Sequence, residues 1–286
     1  MAAACGNSTD ETPSSSPTTT ENDERPLRMP AAPPKTGAIT VYREEPRPSV
    51  PDAVPMITAS ARFGGPTLHG NAAECTGERA IGACMIRECR WTTQNSASSK
   101  HAGTIRFVSP NLRPITLQPN EHGWYPASLV QHDLLPAPGA VVEVSAEGSS
   151  DVPAFELVAA FTRDIRVLLP GQEQEDGART LFGGAAHRDL DLEIPIEPAE
   201  SRVEVSLTAT GAGDACQDKG ECALLMTCVY PRAPVILPTA ALAMLAPDQR
   251  VNIALAAVNR THTKAGEYDV ELAAIGARWS IDFLVQ

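Results

Sequence analysis

The chain is poor in aromatic residues, which make up 5% of its 286 positions, and it has no apolar run approaching the eighteen residues of a membrane-spanning helix. Attachment to a bilayer is therefore expected only through lipid. Its 23 Lys and Arg are outnumbered by 35 Asp and Glu, for a formal net charge of -12, and the cations form no cluster. Phosphate backbones need clustered cations, so nucleic acid is excluded as a partner. Helical periodicity is nearly absent: residues 240–245, behind Thr239 as N-cap, predict a turn and a half of helix and no more. No Gly-x-Ser-x-Gly elbow occurs, and Phe182-Gly183-Gly184-Ala185 precedes no lysine-bearing helix that would cradle a phosphate. No cofactor is expected, and the chain reads as a non-enzyme.

What is present begins with a block that cannot bury a core. Nine of the fifteen residues from Gly6 to Thr20 are Ser or Thr, and ten of the 25 prolines fall between Pro13 and Pro55. Such a segment lacks the apolar content to offset its ordering entropy, so residues 1–57 are predicted to be a disordered tether. About fifty residues of coil span on the order of 40 Å, more where proline stiffens them. The apolar piece Ile39-Thr40-Val41-Tyr42 could dock as an edge strand but is assigned to the tether. Ahead of the block, Ala2-Ala3-Ala4-Cys5-Gly6 resembles the end of a bacterial lipobox, where small residues precede the cysteine that becomes acylated. Cys5 is thus the candidate lipidation site, and a multiply acylated cysteine anchors firmly where a single chain does not.

From residue 56 onward the pattern turns to short alternating or β-branched runs separated by Gly, Pro, Asn and Asp. Predicted strands cover 57–63, 81–91, 103–109, 114–117, 140–146 and 155–168, then 190–194, 203–209, 222–229, 235–237, 250–258, 268–275 and 278–285. Val203, Val205 and Leu207 alternate with Glu204 and Ser206, a period of two with one face in a core. The two series also share an order of elements. Residues 105–108, 126–129, 139–146 and 154–160 find counterparts at 225–228, 238–242, 250–257 and 268–274. The fold predicted is all-β: two tandem immunoglobulin-like antiparallel β-sandwiches, 58–170 and 171–286, with a hinge near 170–184.

Seven cysteines divide into Cys5, a cluster of Cys75, Cys84 and Cys89, and a cluster of Cys216, Cys222 and Cys228. Six downstream cysteines in an exported chain favour disulfides. On one strand, Cys222 and Cys228 would stand about 20 Å apart, beyond disulfide reach. Cys216 with Cys222 is preferred in the second cluster, and Cys75 with Cys84 or Cys89 in the first. Neither cluster pairs two zinc knuckles, so no metal site is assigned.

The polar-aromatic stretch 120–125 singles out His122, Trp124 and Tyr125, with His132 nearby, as a candidate binding loop for a carbohydrate or peptide. Ser128, His132 and Asp133 invite a hydrolase reading without the motif to support it. Asp189, Asp191 and Glu193, and separately Asp214, Asp218 and Glu221, could offer oxygens to calcium but match no calcium-loop spacing and read as solvated acidic edges. Asn7-Ser8-Thr9 and Asn259-Arg260-Thr261 fit the glycosylation sequon.

Residues 149–155 after a Gly-x-Val-x-Glu-Val strand, Met226-Thr227-Cys228 and 237–242 resemble motifs of a family of myxobacterial exported lipoproteins with tandem β-sandwich domains. The resemblance implies an envelope location, outer-membrane-anchored or extracellular, and a paired sandwich. It carries no activity. The function expected is a non-enzymatic envelope lipoprotein, a surface binding or scaffolding module whose partner is an envelope protein or glycan. A carbohydrate-binding or hydrolytic accessory with a site on the sandwich end loops is the alternative.

Overall fold

Alternation, once it starts, seats strands from residue 35 onward in a computed structural model that describes residues 35–44, 56–64, 67–68, 71–91, 100–110, 112–131, 136–169, 180–210 and 222–286. In chain order the first strands are β1 (Lys35–Glu44), β2 (Met56–Phe63), β3 (Thr67–Leu68), β4 (Asn71–Ile81) and β5 (Cys84–Trp91). Then come β6 (Ile105–Val108), β7 (Ile115–Leu117), β8 (Ser128–Gln131), β9 (Val141–Ala146), β10 (Phe155–Ala160) and β11 (Arg166–Val167). The second half holds β12 (Thr180–Ala186), β13 (Leu192–Ile194), β14 (Ile196–Glu197), β15 (Val203–Thr210), β16 (Cys222–Tyr230) and β17 (Val235–Leu237). A single turn of helix, α1 (Thr239–Leu242), precedes the long hairpin of β18 (Arg250–Ala265) and β19 (Tyr268–Val285).

One pairing scheme occurs twice. In the first half β2 pairs with β8, β6 with β7, β6 with β9, and β9 with β10; in the second, β13 pairs with β17, β15 with β16, β15 with β18, and β18 with β19, every pair antiparallel. This is the order of an immunoglobulin-like sandwich, with a hairpin-linked outer pair and a two-strand opposite layer. Two cores result. The first gathers Ile39, Ile57, Phe63, Ile105, Phe107, Val144, Leu157 and Phe161, and the second gathers Val205, Leu207, Leu224, Met226, Ile253, Trp279, Ile281 and Phe283. The duplication expected from sequence is therefore present, but two of its four matches move: β6 corresponds to β15, not to residues 225–228 of β16, and β8 corresponds to β17, not to residues 238–242, which hold α1. Both β15 and β16 carry the same alternation, so pattern alone could not choose between them.

The two sandwiches do not divide at residue 170. The β4–β5 hairpin, inserted between β2 and β6 of the first sandwich, pairs on β16, and its Cys84 and Ile86 enter the second core. Reciprocally, the far half of the β18–β19 hairpin leaves the second sandwich. There Ala265, Tyr268, Val270, Leu272 and Ala274 join the first core, and residues 268–275 pair with β1. Each sandwich thus extends the sheet of the other, giving an 11-stranded sheet ordered β3-β4-β5-β16-β15-β18-β19-β1-β2-β8, with β12 on β19. Residues 34–286 form one compact unit.

Other expectations change for identifiable reasons. Residues 35–44, assigned to the tether because prolines flank them, form a fully paired strand that buries Ile39, Val41 and Arg43. The remaining tether residues, 1–34 and 45–55, lie outside those described. The sheet is not purely antiparallel, because β1 and β12 both run parallel to β19. β18 continues to Ala265 through the polar run 259–264, since its neighbour β19 supplies partners that the sequence pattern does not show. Strand 155–168 breaks after Ala160, and 268–275 with 278–285 form one strand across a bulge at Gly276 and Ala277. That extra residue moves the inward positions from Val270, Leu272 and Ala274 to Ala277, Trp279 and Ile281, keeping both cores on one side of the sheet.

The linker between the sandwiches is pinned at the same bulge. Thr162 Oγ1 donates to the Ala257 carbonyl at 2.8 Å, Trp279 Nε1 to the Ile165 carbonyl at 2.5 Å, and Ala277 N to Asp164 Oδ1 at 2.8 Å. Asp164 also takes a hydrogen bond from buried Arg43, which donates to the Pro136 carbonyl as well. Gly276 is needed for this approach, because a Cβ there would lie 2.9 Å from Thr162 Oγ1 and 3.1 Å from Asp164 Oδ1.

Candidate functional site

Several residues chosen from sequence turn out to hold the fold. Tyr125 is buried against Phe63, donates its hydroxyl hydrogen to the Gly103 carbonyl at 2.7 Å and accepts from Ala102 N at 2.7 Å. Burial pushes its phenol up to about 12, the hydrogen bond from Ala102 opposing the shift. Asn120 Oδ1 accepts from the backbone of His122 and Trp124 and shapes the turn. The His122 side chain is exposed beside Glu121 at 3.4 Å, and Trp124 is half-buried. His132 and Asp133, the proposed companions of Ser128, lie outside the described residues. Asp191 closes the start of α1 in place of the predicted Thr239 cap: its Oδ1 accepts from Thr239 N at 2.7 Å and Thr239 Oγ1 at 2.6 Å, which hold its carboxyl below the usual carboxylate range. Among the described residues no three His, Cys, Asp or Glu side chains converge as a metal site.

Two disulfides join residues directly opposite in register, Cys75 to Cys89 between β4 and β5, and Cys84 to Cys228 between β5 and β16. The first is one of the two pairings expected for its cluster. The second crosses between the clusters and ties the inserted hairpin of one sandwich to the other, a contact that only the strand exchange creates. Cys5, Cys216, the side chain of Cys222, and Asp214, Asp218 and Glu221 lie outside the described residues. The sequon asparagine Asn259 is half-buried and donates to the Ala160 carbonyl at 3.1 Å, so its amide serves the joint between sandwiches.

The surface that sequence reading missed is the outer face of the shared sheet, on the side away from both cores. Register fixes its rows. Glu204, Ala256 and Arg278 stand side by side on β15, β18 and β19; Val258, Ile275, Tyr42 and Thr58 form the next row, and Arg260, Ala273, Thr40 and Ser60 the one after. Ala256, Val258 and Ala273, with Ile275 against them, make a small apolar cluster separate from the cores. Small side chains there leave a groove of about 310 Å³ walled by Tyr42, Ser206, Thr227 and Arg278. A second hollow of about 280 Å³, between β1, β2 and Trp124, shares Thr40 with it. At one wall Arg260 Nε donates to Glu204 Oε1 at 2.5 Å, and its terminal nitrogens donate to Glu204 and Glu271. Glu204, nearly buried at 9% exposure, is paired on both oxygens, and its hydrogen bonds raise the Arg260 guanidinium above its ordinary value. His262 lies 3.4 Å from Glu271 and 3.8 Å from Asp269, extending this network along β18. Thr40, Tyr42, Ser206, Thr227 and Arg278 make no side-chain hydrogen bond or ion pair among the described residues. A spacing of two on β15, β18 and β19 was the available signal. It marked these positions as facing away from a core without showing that three strands from two sandwiches would set them together.

No family model matches the chain, and no curated protein matches it. Among solved structures it is similar to the chicken CNTN1 FN1–FN3 domains, at 14% identity over 83% of this chain and 78% of that one, with a TM-score of 0.20. It is also similar to an ICAM-5 D1–D4 ectodomain fragment, at 13% identity over 82% of this chain and 62% of that one, with a TM-score of 0.15. Superpositions this loose carry no argument, and the immunoglobulin-like description rests on the repeated strand pairing. Among the described residues no helix is long and apolar enough to cross a membrane. The two disulfides are features of proteins that fold outside a reducing cytosol.

Proposed function

We propose that the protein is a non-enzymatic envelope lipoprotein, acylated at Cys5, that binds or scaffolds a partner through the outer face of its shared sheet. One observation supports this above the others: the hydroxyls of Thr40, Tyr42, Ser206 and Thr227 and the guanidinium of Arg278, without hydrogen-bond or ion-pair partners among the described residues, stand around an apolar floor on a doubly stapled platform. Convergent polar groups around an apolar concavity are the common form of a binding site. A rigid sheet presents such groups without the ordering cost that a loop incurs on binding. The end-loop alternative loses its anchor, because Tyr125 spends both hydrogen-bonding functions on Ala102 and Gly103.

Two measurements test the reading. Mass spectrometry of the native protein's N-terminus is expected to find an acylated Cys5, and an unmodified thiol there removes the anchor. Photocrosslinking on intact cells compares a probe at Ser206, in the groove, with one at Val158, which is 53% exposed on the opposite four-stranded sheet. A discrete adduct from position 206 alone is expected, to a protein or to a glycan. Equal labelling from both positions rejects the groove.

A further inference from the structure

We infer that β1 is a mechanical clamp: tension arriving along the chain from its N-terminal side is resisted by simultaneous shear of β1 against both neighbours. The inference deepens the anchored-module reading, since a tethered protein is pulled through the segment that precedes Lys35. β1 is held on both flanks over nearly its whole length. Lys35 to Tyr42 align in parallel with Tyr268 to Ile275 of β19, and Gly37 to Glu44 align antiparallel with Phe63 to Met56 of β2.

Direction decides what tension does to such a strand. Because β1 and β19 are parallel, pulling back on Lys35 while the C-terminal end of β19 is held forward draws the strands past each other along their axes. Every inter-strand hydrogen bond is then loaded at once, so the bonds must fail together. Pulling the same strands apart sideways loads one pair at a time, and the ladder opens sequentially at low force. Side chains reinforce the axial geometry: Ile39 and Val41 are buried in the first core at 1% exposure each, and Arg43 is locked to Asp164 and the Pro136 carbonyl. β19 is a continuous strand of 18 residues that runs from the first sandwich into the second, where β12 and β18 flank it. Tension entering at β1 therefore crosses to the second sandwich through one ladder and one unbroken strand. A single chain of sandwiches joined only by a linker would instead load that linker.

The experiment pulls single molecules of the full chain in two geometries, so no variant needs to refold around a core change. In the first, handles are attached at the two chain termini and load β1 in shear. In the second, the N-terminal handle is kept and the other is attached through an azide-bearing residue replacing Glu267, which is 77% exposed at the hairpin turn beside Lys35. That pair pulls β1 sideways from Tyr268, its register partner. The shear geometry is expected to rupture at several times the force of the sideways geometry at equal loading rate, because forced unfolding follows the unfolding barrier along the pulled coordinate. Equal forces, or a weaker shear geometry, overturn the inference. Acylation of Cys5 does not enter this measurement, so a clamp without an anchor and an anchor without a clamp give different results.

Discussion

Replacing the Cys84–Cys228 pair by alanine is expected to cost more stability than replacing Cys75–Cys89, although both bonds cross between neighbouring strands of the same sheet. The difference lies in what each closes. Cys84–Cys228 links residues 144 apart, whereas Cys75–Cys89 links residues 14 apart. The loop-entropy relation gives about 5 kcal/mol for the longer loop and about 3 kcal/mol for the shorter, a difference near 2 kcal/mol. Burial works in the same direction, since Cys84 and Cys228 are both within 2% of full burial, whereas Cys89 is paired with a Cys75 that is only partly buried. Urea unfolding is followed by far-ultraviolet circular dichroism, which reads the strands of both sandwiches. The expected result is a lower midpoint for Cys84→Ala/Cys228→Ala than for Cys75→Ala/Cys89→Ala, with a steeper slope because the chain freed of the longer link unfolds to a more expanded state. Equal midpoints, or the reverse order, would refute the claim that the long bond constrains the unfolded chain and would mean that pairing of β5 on β16 persists without it.

Three further outcomes follow from the geometry. Arg260→Ala leaves Glu204 buried and unpaired and is expected to destabilise by about 3 kcal/mol, while Arg260→Met with Glu204→Met recovers most of the loss; a double variant no better than the single contradicts this in chemical denaturation. Tyr125→Phe strips partners from the Ala102 amide and the Gly103 carbonyl, for about 1 to 2 kcal/mol at neutral pH. Burial holds Tyr125 and Tyr230 at about 12 in the folded protein against 10.0 ordinarily, so the unfolded chain ionises first. Stability from these phenols is full below pH 10.0 and declines as pH rises towards about 12. Melting temperatures across that window are expected to fall less steeply in Tyr125→Phe than in wild type, and parallel curves refute the assignment.

By itself the sequence determined the class of the fold, the strand faces and the repeat. Alternation such as Val203, Val205 and Leu207 against Glu204 and Ser206 marks an inward and an outward side wherever a strand lies, because side chains alternate across a pleated sheet regardless of neighbours. It also identified Cys75 with Cys89 as one of two local choices, since bonds within a hairpin need only local geometry. Tertiary structure decided which strands meet. A strand's identity does not encode its partner, so the exchange of β4–β5 for the tip of β18–β19, the bond from Cys84 to Cys228 and the pairing of β1 with β19 were not legible. The same limit hid the groove. Tyr42, Ser206, Thr227 and Arg278 come from four separate stretches of chain, and only long-range hydrogen bonding between strands brings them to one face.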